Sequence, residues 1–257
     1  MKMILNILFF CFSLNTCIGI KQVSRGGNNN VSLEIPESNN LIEEQIISHI
    51  GYTVSYNNKT RLPNWVAYEL TSIEVEGKVK RNNKYMKDPD AIGIQADAED
   101  YRNSGWDRGH MAPSGDMKWD SLAMEESNYF TNICPQNHNF NNGIWRILEE
   151  KCRYVATKYG NVYIVCGPII GNNNNGTIGY NQIIIPDQFY KVLLINDKKS
   201  YYGIGFLINN EAGGKNIFNY ATSIDDIERI TGIDFFNKLP SKIEKEVESH
   251  YDINIWK

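Results

Sequence analysis

Asp107-Arg108-Gly109-His110-Met111-Ala112-Pro113 sets a fixed cation, a glycine and an imidazole side by side. Hydrolysis of a phosphodiester needs such parts. A base of near-neutral pKa must take a proton from water, and a cation must hold the phosphoryl oxygens as charge builds on them. Unperturbed imidazole titrates near ~6.5, and arginine offers a planar donor fork that matches phosphate. The other three histidines sit in blander settings. His49, in the apolar stretch Ile46-Ile47-Ser48-His49-Ile50, reads as structural; His138 belongs to a polar loop; His250 reads as solvated on a charged C-terminal helix. By composition alone an Arg and a His in a polar loop are most often surface residues, so residues further along must add weight.

Asn132 ends an expected strand over residues 127–134, which Pro135 stops. Asn141-Asn142-Gly143 precedes the clearest helix signal, residues 144–159. There Ile144, Ile147, Leu148, Cys152, Val155 and Tyr159 recur three or four apart, and Gly160-Asn161 ends the run. Glu149 lies on this helix. Its separation from Asn141 amounts to about two turns plus ~80° and about 12 Å of rise, so the two side chains do not share one ion directly. The spacing favours Asn141 as a direct oxygen ligand and Glu149 acting through water, an arrangement suited to magnesium and its retained hydration shell. The plainer alternatives are an N-cap for Asn141 or Asn142 and an exposed helix charge for Glu149.

Outward from this segment the chain reads as a single mixed domain with largely antiparallel strands and few helices. Strand-like runs fall at residues 64–70, 162–167, 189–196 and 201–208, with a loop at 172–175. Ser223 opens a short helix that Gly232 closes. Residues 76–105, charged and broken by Gly and Pro, read as a long surface connection. The 257 residues are 42% apolar and 22% charged, which supports a sizeable core and excludes disorder and coiled coil. With a formal charge of −4, a polyanion must be met by a local basic site. No apolar run reaches the ~18–20 residues of a membrane-spanning helix.

Lys2, the apolar residues 4–14 and the small residues at 16–19 have the layout of a secretory signal peptide over residues 1–20. Residues 21–45 then read as a flexible lead-in and 46–257 as the folded domain. The expected location is secreted or periplasmic, with lipid anchoring through Cys17 as the lesser alternative. Behind the leader stand Cys134, Cys152 and Cys166, an odd set that allows at most one internal disulfide. Cys152 and Cys166 are open to pairing, and buried free thiols are slightly favoured.

Residues 107–113 resemble the Asp-Arg-Gly-His signature of the DNA/RNA non-specific endonucleases. That family belongs to the ββα-metal (His-Me finger) group and includes secreted bacterial nucleases and mitochondrial endonuclease G. The resemblance continues in register through Asn132-Ile133-Cys134-Pro135-Gln136, Asn141-Asn142-Gly143-Ile144-Trp145 and Leu148-Glu149. Trp65-Val66-Ala67-Tyr68, Val165-Cys166-Gly167-Pro168 and residues 226–232 also look familial, so it covers about residues 50–240. It implies an α+β fold, a single domain with a mainly antiparallel sheet flanked by helices, and a ββα-metal element at about residues 105–155.

Carried over residue by residue, the resemblance implies His110 as general base and Arg108 as a phosphate contact or site organiser. It also implies Asn141 as the direct metal ligand, Glu149 as the group acting through water, and Asn132 as a further catalytic-site polar group. Arg81, in Lys80-Arg81-Asn82-Asn83-Lys84, is the best match to the family's upstream phosphate-binding arginine. Asp107 is expected to orient the loop and Trp145 to pack the helix. Met111 and Cys134 depart from the pattern and would alter access or make the site oxidisable. The function so implied is an exported, Mg2+-dependent endonuclease of low sequence specificity, with Mn2+ as a substitute ion and 5′-phosphate products. Its partner is DNA and/or RNA, with no transmembrane span and a homodimer left open. Two alternatives stand beside it: a metal-dependent phosphodiesterase on a non-nucleic-acid substrate, and a non-catalytic nucleic-acid-binding module. The module has no need of His110, Asn141 and Glu149 together.

Overall fold

A sheet covered on both faces needs strands in which neighbouring residues are all apolar, and the longest runs of this chain have that character. The computed structural model describes residues 32–39, 42–171, 175–197 and 200–257. The expected leader with Cys11 and Cys17, and most of the 172–175 loop, lie outside these residues. The chain opens with β1 (Glu37–Ser38), β2 (Gln45–Ser48), β3 (Thr53–Asn57) and β4 (Leu62–Thr71), then α1 (Ser72–Val75) and α2 (Ala98–Tyr101). Next come β5 (Asp107–His110), α3 (Ser121–Glu126), β6 (Ile133–Gln136), α4 (His138–Phe140) and α5 (Arg146–Tyr159). The second half holds β7 (Asn161–Ile169), β8 (Thr177–Ile178), β9 (Ile183–Ile184), β10 (Gln188–Asp197), β11 (Ser200–Asn209) and β12 (Ala221–Thr222). It ends with α6 (Ile224–Thr231), β13 (Ile233–Asp234), α7 (Ser241–Ser249) and α8 (Ile253–Trp256).

Seven strands form one antiparallel sheet in the order β12-β11-β10-β7-β4-β3-β2. Alternation along the strands divides the core in two. Val66, Tyr68, Leu70, Ile164, Cys166, Phe189 and Leu193 face α5 and the β5–β6 pair, and they pack with Met111, Ile133, Trp145 and Leu148. Trp65, Ala67, Val165, Tyr190, Val192 and Leu194 face the other way, onto Ile224, Ile227, Phe235 and Val247 of the α6–α7 layer. Among the described residues no helix is long and apolar enough to cross a membrane.

The expected single domain with an antiparallel sheet and flanking helices is what forms, and three local expectations are corrected. Residues 127–134 are not one strand: Phe130–Asn132 make a tight helical turn, and β6 then runs on through Pro135. The proline is tolerated because β6 pairs with β5 alone, so its missing N–H breaks no second ladder. Residues 76–105 are more than a surface connection, since Asp88, Gln95, Ala96, Asp100 and Tyr101 are buried. Asp88 N donates to Gln95 Oε1 at 2.7 Å and Asn181 Nδ2 donates to Asp100 Oδ2 at 2.8 Å, while the Tyr101 hydroxyl has no hydrogen-bond partner. Within the expected lead-in, β1 pairs with β13, and Trp65 Nε1 donates to Ser38 Oγ at 3.0 Å.

The α6–α7 layer approaches β11 closely because β11 carries glycines there. A Cβ on Gly203 would stand 2.6 Å from the Val247 carbonyl oxygen and 2.7 Å from Ile224 Cδ1. The carbonyl belongs to the α7 backbone, so only a shift of the helix relieves the clash. Gly203→Ala is therefore expected to destabilise the fold by about 1–3 kcal/mol. A lower Tm on thermal unfolding, with unchanged activity per folded molecule, is the result that checks it.

Candidate active site

The β5–β6 ladder sets His110 opposite Ile133 at the end of β5. Gly109, one residue earlier, has no room for a side chain, since a Cβ there would lie 2.1 Å from the Gln136 side chain. Three contacts then hold the backbone around the histidine. Trp145 Nε1 donates to the His110 carbonyl at 3.2 Å, and Met111 N donates to the Asn132 carbonyl at 3.0 Å. The buried Asn132 amide accepts from Ala112 N at 2.8 Å and donates to the carbonyls of Ala112 and Ser127 at 2.8 and 2.7 Å. These three bonds are all to main chain, so Asn132 sits behind the histidine as a clamp on its loop. Trp145 packs as expected and also fastens α5's approach to the histidine.

The ring itself is fixed by Asn128, a residue that the sequence reading missed. His110 Nε2 lies 3.1 Å from Asn128 Oδ1, while Asn128 Nδ2 donates to the carbonyls of Asn82 and Met124 at 3.0 and 3.2 Å. Both amide hydrogens are thus spent on carbonyls, so the oxygen faces the ring and Nε2–H donates to it. Nδ1 is then the nitrogen that keeps a lone pair. Burial depresses the imidazole pKa to about 4; the Asn128 bond opposes this, and the charges of Arg81 and Arg108 add to it. The ring is neutral at physiological pH.

Arg108 is exposed, with its guanidinium carbon 4.4 Å above the Tyr85 ring, and Tyr85 lies 5.5 Å from the His110 ring. Tyr85 is also hydrogen-bonded by Arg81. The two arginines and the histidine therefore meet around one tyrosine that no motif announced. Arg81 continues into an open cleft of about 510 Å³ lined by Lys78, Lys80, Ser114, Gly115 and Lys118. This is the local basic surface that an acidic chain needs for a polyanion.

Asn141 lies on the turn that follows α4, and Glu149 lies in the first turn of α5. Asn141 starts a wide turn, Asn141–Trp145, in which Gly143 leaves helical geometry at φ −100°, ψ −111°. Neither Asn141 nor Asn142 caps α5, whose preceding residue is Trp145 with no side-chain cap bond. Asn141 Nδ2 donates instead to Asp107 Oδ2 at 2.9 Å, and His138 Nδ1 lies 3.1 Å from the same carboxylate oxygen. Asp107 thus orients Asn141 through its amide nitrogen, and the amide oxygen is the atom that could take a cation.

Glu149 is half-buried. Burial raises its pKa to about 7, while Lys191, Arg153 and Arg81 pull it down and Asp116 pushes it up. Lys191, a lone cation in an apolar strand, is fully buried with Nζ 4.5 Å from the Trp145 ring centre. Burial disfavours its charge, but Cys166, Cys152, Glu149 and Asp116 outweigh that and hold it protonated. The charged residue inside the apolar run 189–196 was the one sequence signal that could have flagged it. Among the described residues, groups of three His, Asp or Glu close enough for an ion occur elsewhere, and none includes Glu149.

Two sequence concerns fall away. Met111 and Cys134 are wholly buried, so neither lines the opening, and burial raises the Cys134 thiol well above the usual range. Cys152 and Cys166 are also buried free thiols. His49 is structural as expected. Burial alone would lower its pKa, but hydrogen bonds and charges from Asp88 and Glu126 raise it to about 9.

The profile of the DNA/RNA non-specific endonucleases matches residues 30–242. Nuclease C1 of Cunninghamella echinulata var. echinulata is 34% identical over 205 residues, covering 74% of this chain and 81% of that protein. The mitochondrial nuclease EXOG of Danio rerio is 34% identical over 207 residues, 74% of this chain. This chain spans only 60% of that relative's length. In the crystal structure of the EndoG/EndoGI complex, a chain 28% identical to this one superimposes with a TM-score of 0.73, covering 78% of this chain and 89% of that one. The mitochondrial names, borne also by the EXOG of Homo sapiens and a nuclease of Saccharomyces cerevisiae, overturn the expectation of a secreted, periplasmic or Cys17-anchored protein. The expectation rested on a positive start and an apolar run, and hydropathy alone names no destination.

The two buried histidines should titrate in opposite directions. Between pH ~6.5 and about 4 the unfolded chain binds a proton at His110 that the folded chain does not, so this site removes stability as the pH falls through that window. His49 contributes stability that is fully present below ~6.5 and is lost as the pH rises toward about 9. Imidazole NMR at pH 7 is expected to show His110 neutral, as the Nε2–H tautomer, and His49 protonated.

Proposed function

The chain belongs to the DNA/RNA non-specific endonuclease family, a family of hydrolases, and from that premise we propose that it cuts DNA and RNA backbones with little sequence preference, with His110 as general base and Mg2+ as cofactor. The observation that carries the reading is the bond to Asn128: Nε2–H donates to Asn128 Oδ1, so Nδ1 is the accepting atom, with the charges of Arg81 and Arg108 nearby. Nδ1 takes a proton from water as its oxygen attacks phosphorus in line with the leaving 3′ oxygen, which makes 5′-phosphate ends. Arg108 and Arg81 hold the phosphoryl oxygens as charge grows, with the Tyr85 ring stacked against the Arg108 guanidinium carbon. Grip on phosphate by these arginines and by Lys78, Lys80 and Lys118 carries no direct base information, in accord with low sequence preference.

The donor set fits one hard cation. Asn141 presents an amide oxygen whose partner nitrogen is tied to Asp107, and Glu149 adds a single carboxylate that acts through water. A bound Mg2+, or Mn2+ in its place, would supply Lewis-acid stabilisation of the developing phosphoryl and leaving-group charge. Lys191 supports the same end of the site by holding Glu149 toward its ionised form from beneath.

The test is cleavage of supercoiled plasmid and single-stranded RNA by the full chain in Mg2+ or EDTA. His110→Ala is expected to lose ~10²–10⁴-fold in rate with fold and nucleic-acid binding retained, and a loss under tenfold would refute the base assignment. The two metal-side residues should separate in Mg2+ titrations of activity. Asn141→Ala should lose its metal response steeply, whereas Glu149→Gln should weaken it by ~10–100-fold.

A further inference from the structure

On the sheet face opposite His110, five carboxylates converge from three elements. Asp225 and Glu228 come from α6, Asp234 from β13, and Glu244 and Glu248 from α7. One oxygen each from Asp225, Glu228 and Glu248 lies within 4.8 Å of the others, and the same holds for Asp234, Glu244 and Glu248. Glu248 is thus common to both groups. Among the described residues, no ion pair involves any of the five.

Exposed acidic groups often cluster without consequence. What sets this cluster apart is that Glu248 is only 6% exposed and its Oε1 has no hydrogen-bond partner. A buried acceptor left unsatisfied costs about 1–3 kcal/mol, more if charged, and no arginine or lysine answers it here. One oxygen of Glu228 is already anchored by Phe235 N at 2.8 Å, which leaves the other for the cluster. Burial, then the four neighbouring carboxylates, push Glu248 up to about 9. The group lacks a countercharge.

We propose that these five carboxylates form a structural Ca2+ site, centred on Glu248, that ties α6, β13 and α7 together. The number of carboxylates selects the ion: Ca2+ takes about six to eight oxygens, several of them carboxylate, in flexible geometry, whereas Mg2+ keeps several waters and is held by about one or two carboxylates. The site lies across the sheet from Asn141 and Glu149, so its effect is on the stability of the α6–α7 layer and not on the reacting atoms.

The experiment titrates the EDTA-treated full chain with CaCl2, followed by calorimetry and thermal unfolding, in the parent and in Asn141→Ala. One Ca2+ per chain that survives Asn141→Ala is expected, with a Tm rise of about 5 °C or more near 100-fold excess over Kd. Glu248→Gln, which keeps shape and removes one of the crowded charges, should fold with no lower Tm in EDTA. It should also bind Ca2+ at least tenfold more weakly, and Asp225→Asn, on the other helix, should do likewise. No rise in Tm, a rise that both variants retain, or binding that Asn141→Ala abolishes would overturn the site. An equal rise with MgCl2 would overturn its assignment to calcium.

Discussion

His110 is held before any substrate arrives, and the surrounding structure is arranged around that restraint. Its carbonyl is fastened by Trp145, the loop behind it by Asn132, and its ring by Asn128. Trp145 comes from the wide turn ahead of α5, and Asn128 and Asn132 come from the segment between α3 and β6, so both segments and β5 must be in place for one ring to be oriented. General-base catalysis depends on that orientation as much as on pKa, because the accepting lone pair must face the water. Burial lowers the basicity of the imidazole but also guarantees that it is unprotonated when it is needed.

On the Glu149 side of the site one buried pair is closed and one buried cation, Lys191, has no hydrogen-bond partner at Nζ. Arg153 bonds Asp116 at 2.6 Å, and the Tyr68 hydroxyl donates to the same carboxylate at 2.9 Å. Lys191 lies among Asp116, Glu149, Cys152 and Cys166, and its ammonium sits against the Trp145 ring. Removing one member of such a set strands the others in low dielectric, at a cost of about 3–5 kcal/mol for a buried pair. The same Trp145 therefore joins the two halves of the site: its indole N–H fixes His110, and its ring face receives Lys191.

The central sheet separates this machinery from a second layer whose character is different. Opposite the histidine, α6 and α7 lie close on β11 because Gly203 and Gly205 leave their backbones exposed to approach. That layer is acidic where the cleft beside Arg81 is basic, so the small net charge conceals two opposed surfaces. Apolar alternation within the strands makes this division possible, since β4, β7, β10 and β11 each serve both cores.

The sequence by itself determined the strands β4, β7, β10 and β11 and the helix α5 with its Gly160 stop at φ 96°, and it nominated His110, Arg108, Asn141 and Glu149 as candidates. These were legible because hydrophobic periodicity and a dense local motif are properties of neighbouring positions. Tertiary structure alone decided the rest. Asn128, 18 positions from His110, and Tyr85, which gathers the arginines, belong to no local pattern, and their roles come from bonds between distant segments. Asn132 was legible as a site residue, but whether it touches substrate or braces the loop depends on where its amide points. Pro135 misled because a ladder's missing partner is invisible in one dimension. Spacing placed Asn141 and Glu149 two turns apart, but the wide turn at Gly143 and the carboxylate of Asp107 set where Asn141 points. A sequence records which side chains exist at each spacing; their directions follow only from what the fold packs against them.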